Sequence, residues 1–94
     1  MKIAMKTLLA TLALASPSAF AEFNPESLLK VTKIAIADFT VAQPVHAEHF
    51  YGYKAWKSGD DARVKVYAIH DGATLEFNYT CHEHEPGELE CHAQ

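Results

Sequence analysis

The sequence predicts a small α+β fold. One N-terminal helix packs on a four-stranded antiparallel β-meander, in two layers, with a disulfide in the C-terminal hairpin. Three observations predict it. Asn24-Pro25-Glu26 is a capped helix start, and the apolar residues after it recur at spacings of three and four. From Phe50 onward the period changes to two, with turn residues at regular distances. The two cysteines of the chain, Cys81 and Cys91, flank the last turn.

The first twenty-one residues read as a leader. Lys2 and Lys6 give a basic start, Leu8 to Ala15 is an apolar run too short to span a bilayer, and Ala19-Phe20-Ala21 fits the small-x-small cleavage rule. Residues 1–21 are therefore expected to be a cleaved signal peptide and 22–94 a single small domain, sent to the periplasm or beyond. No stable membrane insertion is expected after cleavage. Six basic residues then face twelve acidic ones. An acidic domain without a basic stripe excludes nucleic acid as an expected partner and suits a cation or a basic patch on a protein. A domain of this size buries a thin core, and an oxidising compartment strengthens it by pairing Cys81 with Cys91.

A helix is expected over 25–38. Leu28, Leu29, Val31, Ile34, Ala35 and Ile36 form a broad apolar face, and Lys30, Lys33 and Asp38 lie largely elsewhere. The many β-branched residues favour a strand, but the cap decides for the helix. Gln43-Pro44 ends it. Val45 to His49 reads as a link whose histidines, His46 and His49, are surface polar residues.

Strands follow over 50–57, 62–70, 73–82 and 88–93. Asp71-Gly72 is a strong two-residue hairpin turn and fixes a register: His70 faces Ala73, Ala68 faces Leu75, Val66 faces Phe77 and Val64 faces Tyr79. His70-Asp71 at this tip reads as turn chemistry. A first turn on Gly59-Asp60 brings Tyr51, Tyr53 and Ala55 to the core face. It also sets Trp56 near Arg63 on the outer face, within reach of a cation–π contact. The expected core is Leu28, Val31, Ala35, Phe39, Tyr53, Val64, Val66, Leu75, Phe77, Tyr79 and Leu89.

The tail carries the functional question. Continued alternation points Cys81 inward, and a one-residue bulge beside Pro86-Gly87 sets it opposite Cys91. His82, His84, Glu90 and His92 then share the outer face. Two or three imidazoles and a carboxylate are a ligand set for Zn²⁺, Cu²⁺ or Ni²⁺, with Glu83, Glu85 and Glu88 raising the local cation concentration. The spacing matches no closed zinc module, so a solvated acidic hairpin ranks ahead of a metal site. No nucleophile sits in a recognisable nucleophile turn and no Gly-rich phosphate loop is present, so no enzyme is expected. The expected role is that of an exported, non-catalytic binding or interaction module. Its partner is a periplasmic protein, met through Trp56, Arg63 and Tyr67, and the alternative is a metal ion held by the tail.

Overall fold

The computed structural model describes residues 23–94, which form one helix on a four-stranded antiparallel sheet. The leader expected over residues 1–21 lies outside the described residues.

Helix α1 (Pro25–Ala42) starts where the sequence places it. The Asn24 side chain accepts from the Ser27 backbone N–H at 2.9 Å, and Ser27 Oγ accepts from the Asn24 N–H at 2.9 Å. This reciprocal box satisfies two of the otherwise free amides of the first turn. The helix runs one turn beyond its expected end at residue 38. Burial of a side chain in the extra turn favours the extension. Phe39 is fully buried against Phe77, with ring centroids 5.1 Å apart. Thr40, a poor helix former, turns its hydroxyl onto the Ile36 carbonyl at 2.8 Å. Pro44 then forces the stop and opens a single helical turn, α2 (Pro44–Ala47).

The strands are β1 (Phe50–Ser58), β2 (Asp61–His70), β3 (Ala73–Glu85) and β4 (Glu88–Ala93), in spatial order β1-β2-β3-β4. Every expected pair across the Asp71-Gly72 turn is found, from His70 with Ala73 to Val64 with Tyr79. Both turn residues have positive φ, 52° and 77°, the conformation that a two-residue hairpin of this hand requires.

The core lies between α1 and the inner sheet face: Val31, Ala35 and Phe39 against Ala62, Val64, Val66, Ala68, Tyr79 and Cys81. Leu28, Phe77 and Leu89 pack at its margin, and Leu75 is half-buried near the turn. Two expectations about its edge need correction. Tyr53, assigned to the core, is 51% exposed, and Tyr51 is 69% exposed. The apolar face of α1 is also narrower than expected, with Leu29 60% exposed. One helix about 10 Å wide cannot cover four strands set about 4.8 Å apart. The strand left partly uncovered is β1, whose Ala55 still packs on the core, and an irregularity between Phe50 and Gly52 further displaces Tyr51 from the pairing. An open apolar groove remains between Leu28, Leu29 and Thr32 of the helix and Tyr53 and Ala55 of that strand.

Candidate metal centre

The C-terminal hairpin separates its side chains by parity. Cys81 pairs with Cys91 across β3 and β4 at a Cα–Cα distance of 4.0 Å, and the two form the disulfide. The pairing skips His84, between Glu83 opposite Leu89 and Glu85 opposite Glu88. This is the expected bulge, and it brings the cysteines level. Cys81 is fully buried, and Cys91 Sγ lies 3.4 Å from the Val31 carbonyl oxygen of α1. The disulfide thus fastens the last strand beneath the helix. Glu83 is taken up by the turn, where its carboxylate accepts from the Gly87 N–H at 2.7 Å.

The outer face of the same hairpin gathers the predicted ligands. His82 stands directly opposite Glu90, and His92, opposite Thr80, is diagonal to it. The His82 and His92 rings stack with centroids 5.2 Å apart and planes at 21°. Their Nε2 atoms are 3.2 Å apart. Glu90 Oε1 lies 2.7 Å from His92 Nε2 and 3.5 Å from His82 Nε2. Its other oxygen, Oε2, lies 3.6 Å from His84 Nδ1. Three of the four predicted ligands, His82, Glu90 and His92, therefore converge on one point, and His84 stands apart beside the other oxygen of Glu90.

A metal held by bonds of about 2.0–2.1 Å in a tetrahedron has ligand atoms about 3.3 Å apart. The separations of 3.2 and 3.5 Å match that edge, and 2.7 Å is a charge-assisted hydrogen bond that an ion would lengthen. Without an ion, one proton on His92 can satisfy Glu90, but two Nε2 atoms facing each other remain imperfectly paired. His84, Glu85 and Glu88 form a second, exposed donor group at the turn.

The proposed contact residues are less well gathered. Trp56 does lie opposite Arg63, but the cation over its ring is Lys54, with Nζ 5.5 Å from the centroid. Tyr67 is half-buried, four positions along β2 from Arg63. Lys54 and Lys65 face each other between them, and Lys65 pairs with Glu76 at 3.2 Å. Trp56, Arg63 and Tyr67 thus share a face without forming one apolar patch. Strand pairing also concentrates Lys54, Arg63 and Lys65 on that face, a basic cluster that their linear order hides.

At the other end of the sheet the structure unites three histidines that sequence reasoning set aside. His46 and His49 each lie edge-on to His70, with ring centroids 5.4 and 5.5 Å apart. The available signal is Pro44: it opens a helical turn that carries His46, and the turn that follows returns His49 beside it, its N–H donating to the His46 carbonyl at 2.9 Å. Comparison by sequence and by structure finds no matching family model, curated protein or solved structure.

Proposed function

We propose that this chain is an exported, non-catalytic binder of a divalent transition-metal ion. His82, Glu90 and His92 hold the ion and His84 supplies a fourth ligand. The observation that carries this reading is the convergence of two Nε2 atoms and one carboxylate oxygen within 3.5 Å of one another, at the edge lengths of a coordination tetrahedron. Two imidazoles or three with one carboxylate suit Zn²⁺, Cu²⁺ and Ni²⁺. The site lies on the open face of the sheet, and the side chains of His84 and His92 are 57% and 59% exposed. That openness suits capture and release of an ion better than chemistry that must exclude water. The disulfide supports an oxidising compartment, and the leader-like residues 1–21 support export. A protein-contact role through Trp56, Arg63 and Tyr67 has weaker support, because two facing lysines lie between those residues.

Calorimetric titration of the purified, untagged chain with Zn²⁺, Cu²⁺ and Ni²⁺ tests the proposal. His82→Ala/His92→Ala is expected to remove one bound ion per chain, or to weaken its binding at least about 100-fold. Both positions are at least one-third exposed on the outer face, so thermal stability in metal-free buffer should change little. Titration curves of the parent and the double variant that superimpose would rule the hairpin site out.

A further inference from the structure

The three histidines at the opposite end of the sheet come from separate parts of the fold. His46 lies in α2, His49 lies in the turn after it, and His70 ends β2. The Ile69 N–H donates to the His49 carbonyl at 3.0 Å and ties the link to the strand. The His46 ring also packs on Phe77 at 5.4 Å, so its position is set by the core.

Two of the imidazoles have an oxygen behind one ring nitrogen. Asp71 Oδ2 lies 3.3 Å from His70 Nε2, and a proton held on that nitrogen leaves the lone pair on Nδ1. That Nδ1 is shielded from water and has no hydrogen-bond partner among the described residues. A buried, unsatisfied nitrogen is costly and rare enough in a folded protein to need a reason. Gln43 Oε1 lies 3.1 Å from His46 Nδ1 and accepts its proton, which leaves the lone pair on Nε2. A carboxylate or carbonyl behind one ring nitrogen, with a free lone pair on the other, is the arrangement that orients histidine ligands around a metal. His49 is exposed, with its ring edge-on to His70.

We infer that His46, His49 and His70 form a second binding site, for a borderline divalent cation such as Cu²⁺ or Zn²⁺, with His70 Nδ1 and His46 Nε2 as its oriented donors. With metal–nitrogen bonds of about 2.0–2.1 Å, imidazoles sharing one ion have ring centroids roughly 5 to 5.5 Å apart. The His70 ring already stands at 5.4 and 5.5 Å from its two neighbours. Binding requires the three edge-on rings to turn until one nitrogen of each faces the ion. The ion gives His70 Nδ1 the partner it otherwise lacks. The donor set, three neutral imidazoles, differs from the hairpin, where a carboxylate sits at the centre, so the two sites should rank metals differently.

The test uses the His82→Ala/His92→Ala chain, in which the hairpin site is dismantled. Titrated with Cu²⁺ and separately with Zn²⁺, it is expected to bind one ion. Adding His49→Ala should weaken that binding about tenfold or more, and adding His70→Ala should abolish it. His49 is exposed and outside the core, so its loss leaves the fold intact and guards against misreading a folding defect. In imidazole ¹⁵N spectra, Zn²⁺ should shift His46, His49 and His70 together. Binding no tighter than millimolar in the hairpin variant, or binding indifferent to both His49→Ala and His70→Ala, overturns the inference. The converse chain, His46→Ala/His49→Ala, reports the hairpin site alone, so either site can fail without the other.

Discussion

Tyr79 shows how much one side chain can join. Its hydroxyl donates to Asp38 Oδ2 at 2.9 Å, tying β3 to α1 across 41 positions of sequence. The residue is 3% exposed. Burial first, then the hydrogen bond and charge of Asp38, push its phenol from 10.0 up to about 12. The raised value favours the neutral phenol in the folded state. Its contribution is therefore intact below pH 10 and is lost as pH rises toward about 12. Urea denaturation across pH 7 to 12 should show stability falling in that window by on the order of 2 kcal/mol. Tyr79→Phe should cost about 1 kcal/mol at neutral pH and flatten this alkaline fall. Parallel pH profiles for the two chains would refute the assignment. Alternation alone placed Tyr79 in the core, but its partner was not legible. An expected helix end at residue 38 makes Asp38 a terminal, solvated residue, whereas the observed helix carries it one turn inside.

Among the elements, the pairing of the C-terminal hairpin was largely legible, although β3 runs to Glu85 rather than to the expected residue 82, and the α1–β1 link was the least legible. The hairpin is local. Its turn residues, bulge and alternation all act within a dozen positions, so sequence order alone puts Cys81 opposite Cys91; it sets His92 across from the His82 region, where the strands instead place Glu90, with His92 opposite Thr80. The histidine group at the other end depends on where α1 stops and how the chain returns to β1. It joins residues 46 and 49 to residue 70 through tertiary packing that no short window contains. The hairpin also allows a clean test. β4 is an edge strand held on one side by β3. Replacing both cysteines, Cys81→Ser/Cys91→Ser, should lower unfolding stability by roughly 2–3 kcal/mol. The same change should weaken hairpin metal binding about tenfold, because ligands on two strands lose their shared anchor. Equal affinity in the oxidised and cysteine-free chains would show that strand pairing alone orders the ligands.

For the molecule as a whole, one helix covering part of a four-stranded sheet fixes where stability resides. Domains are stable by roughly 0.05–0.15 kcal/mol per residue, so a domain this small has little margin. Phe39 is fully buried between α1 and the sheet, and Phe39→Ala should cost about 3–5 kcal/mol, most of that margin. Tyr53→Ala, on the partly uncovered strand, should cost less than about 1 kcal/mol. Thermal melts followed by circular dichroism distinguish the two, and similar losses would mean that Tyr53 contributes to the core after all. Period and turn chemistry were enough to read the meander and its register. They say nothing of helix width against sheet width, which is why Tyr53 takes the expected inner face, opposite Val66, and yet stays exposed.

The parity of the C-terminal hairpin has a consequence for how such a protein can change. Positions 81 and 91 close the structure, whereas 82, 84, 90 and 92 face outward and contribute little to it. Substitutions at the outward positions can exchange an imidazole for a carboxylate, or remove either, while the fold stays closed. On the proposed function, cation preference is then an evolvable trait reached by single steps, each passing through a folded protein. A one-residue insertion in the turn does the opposite, shifting the pairing and scrambling both sets together.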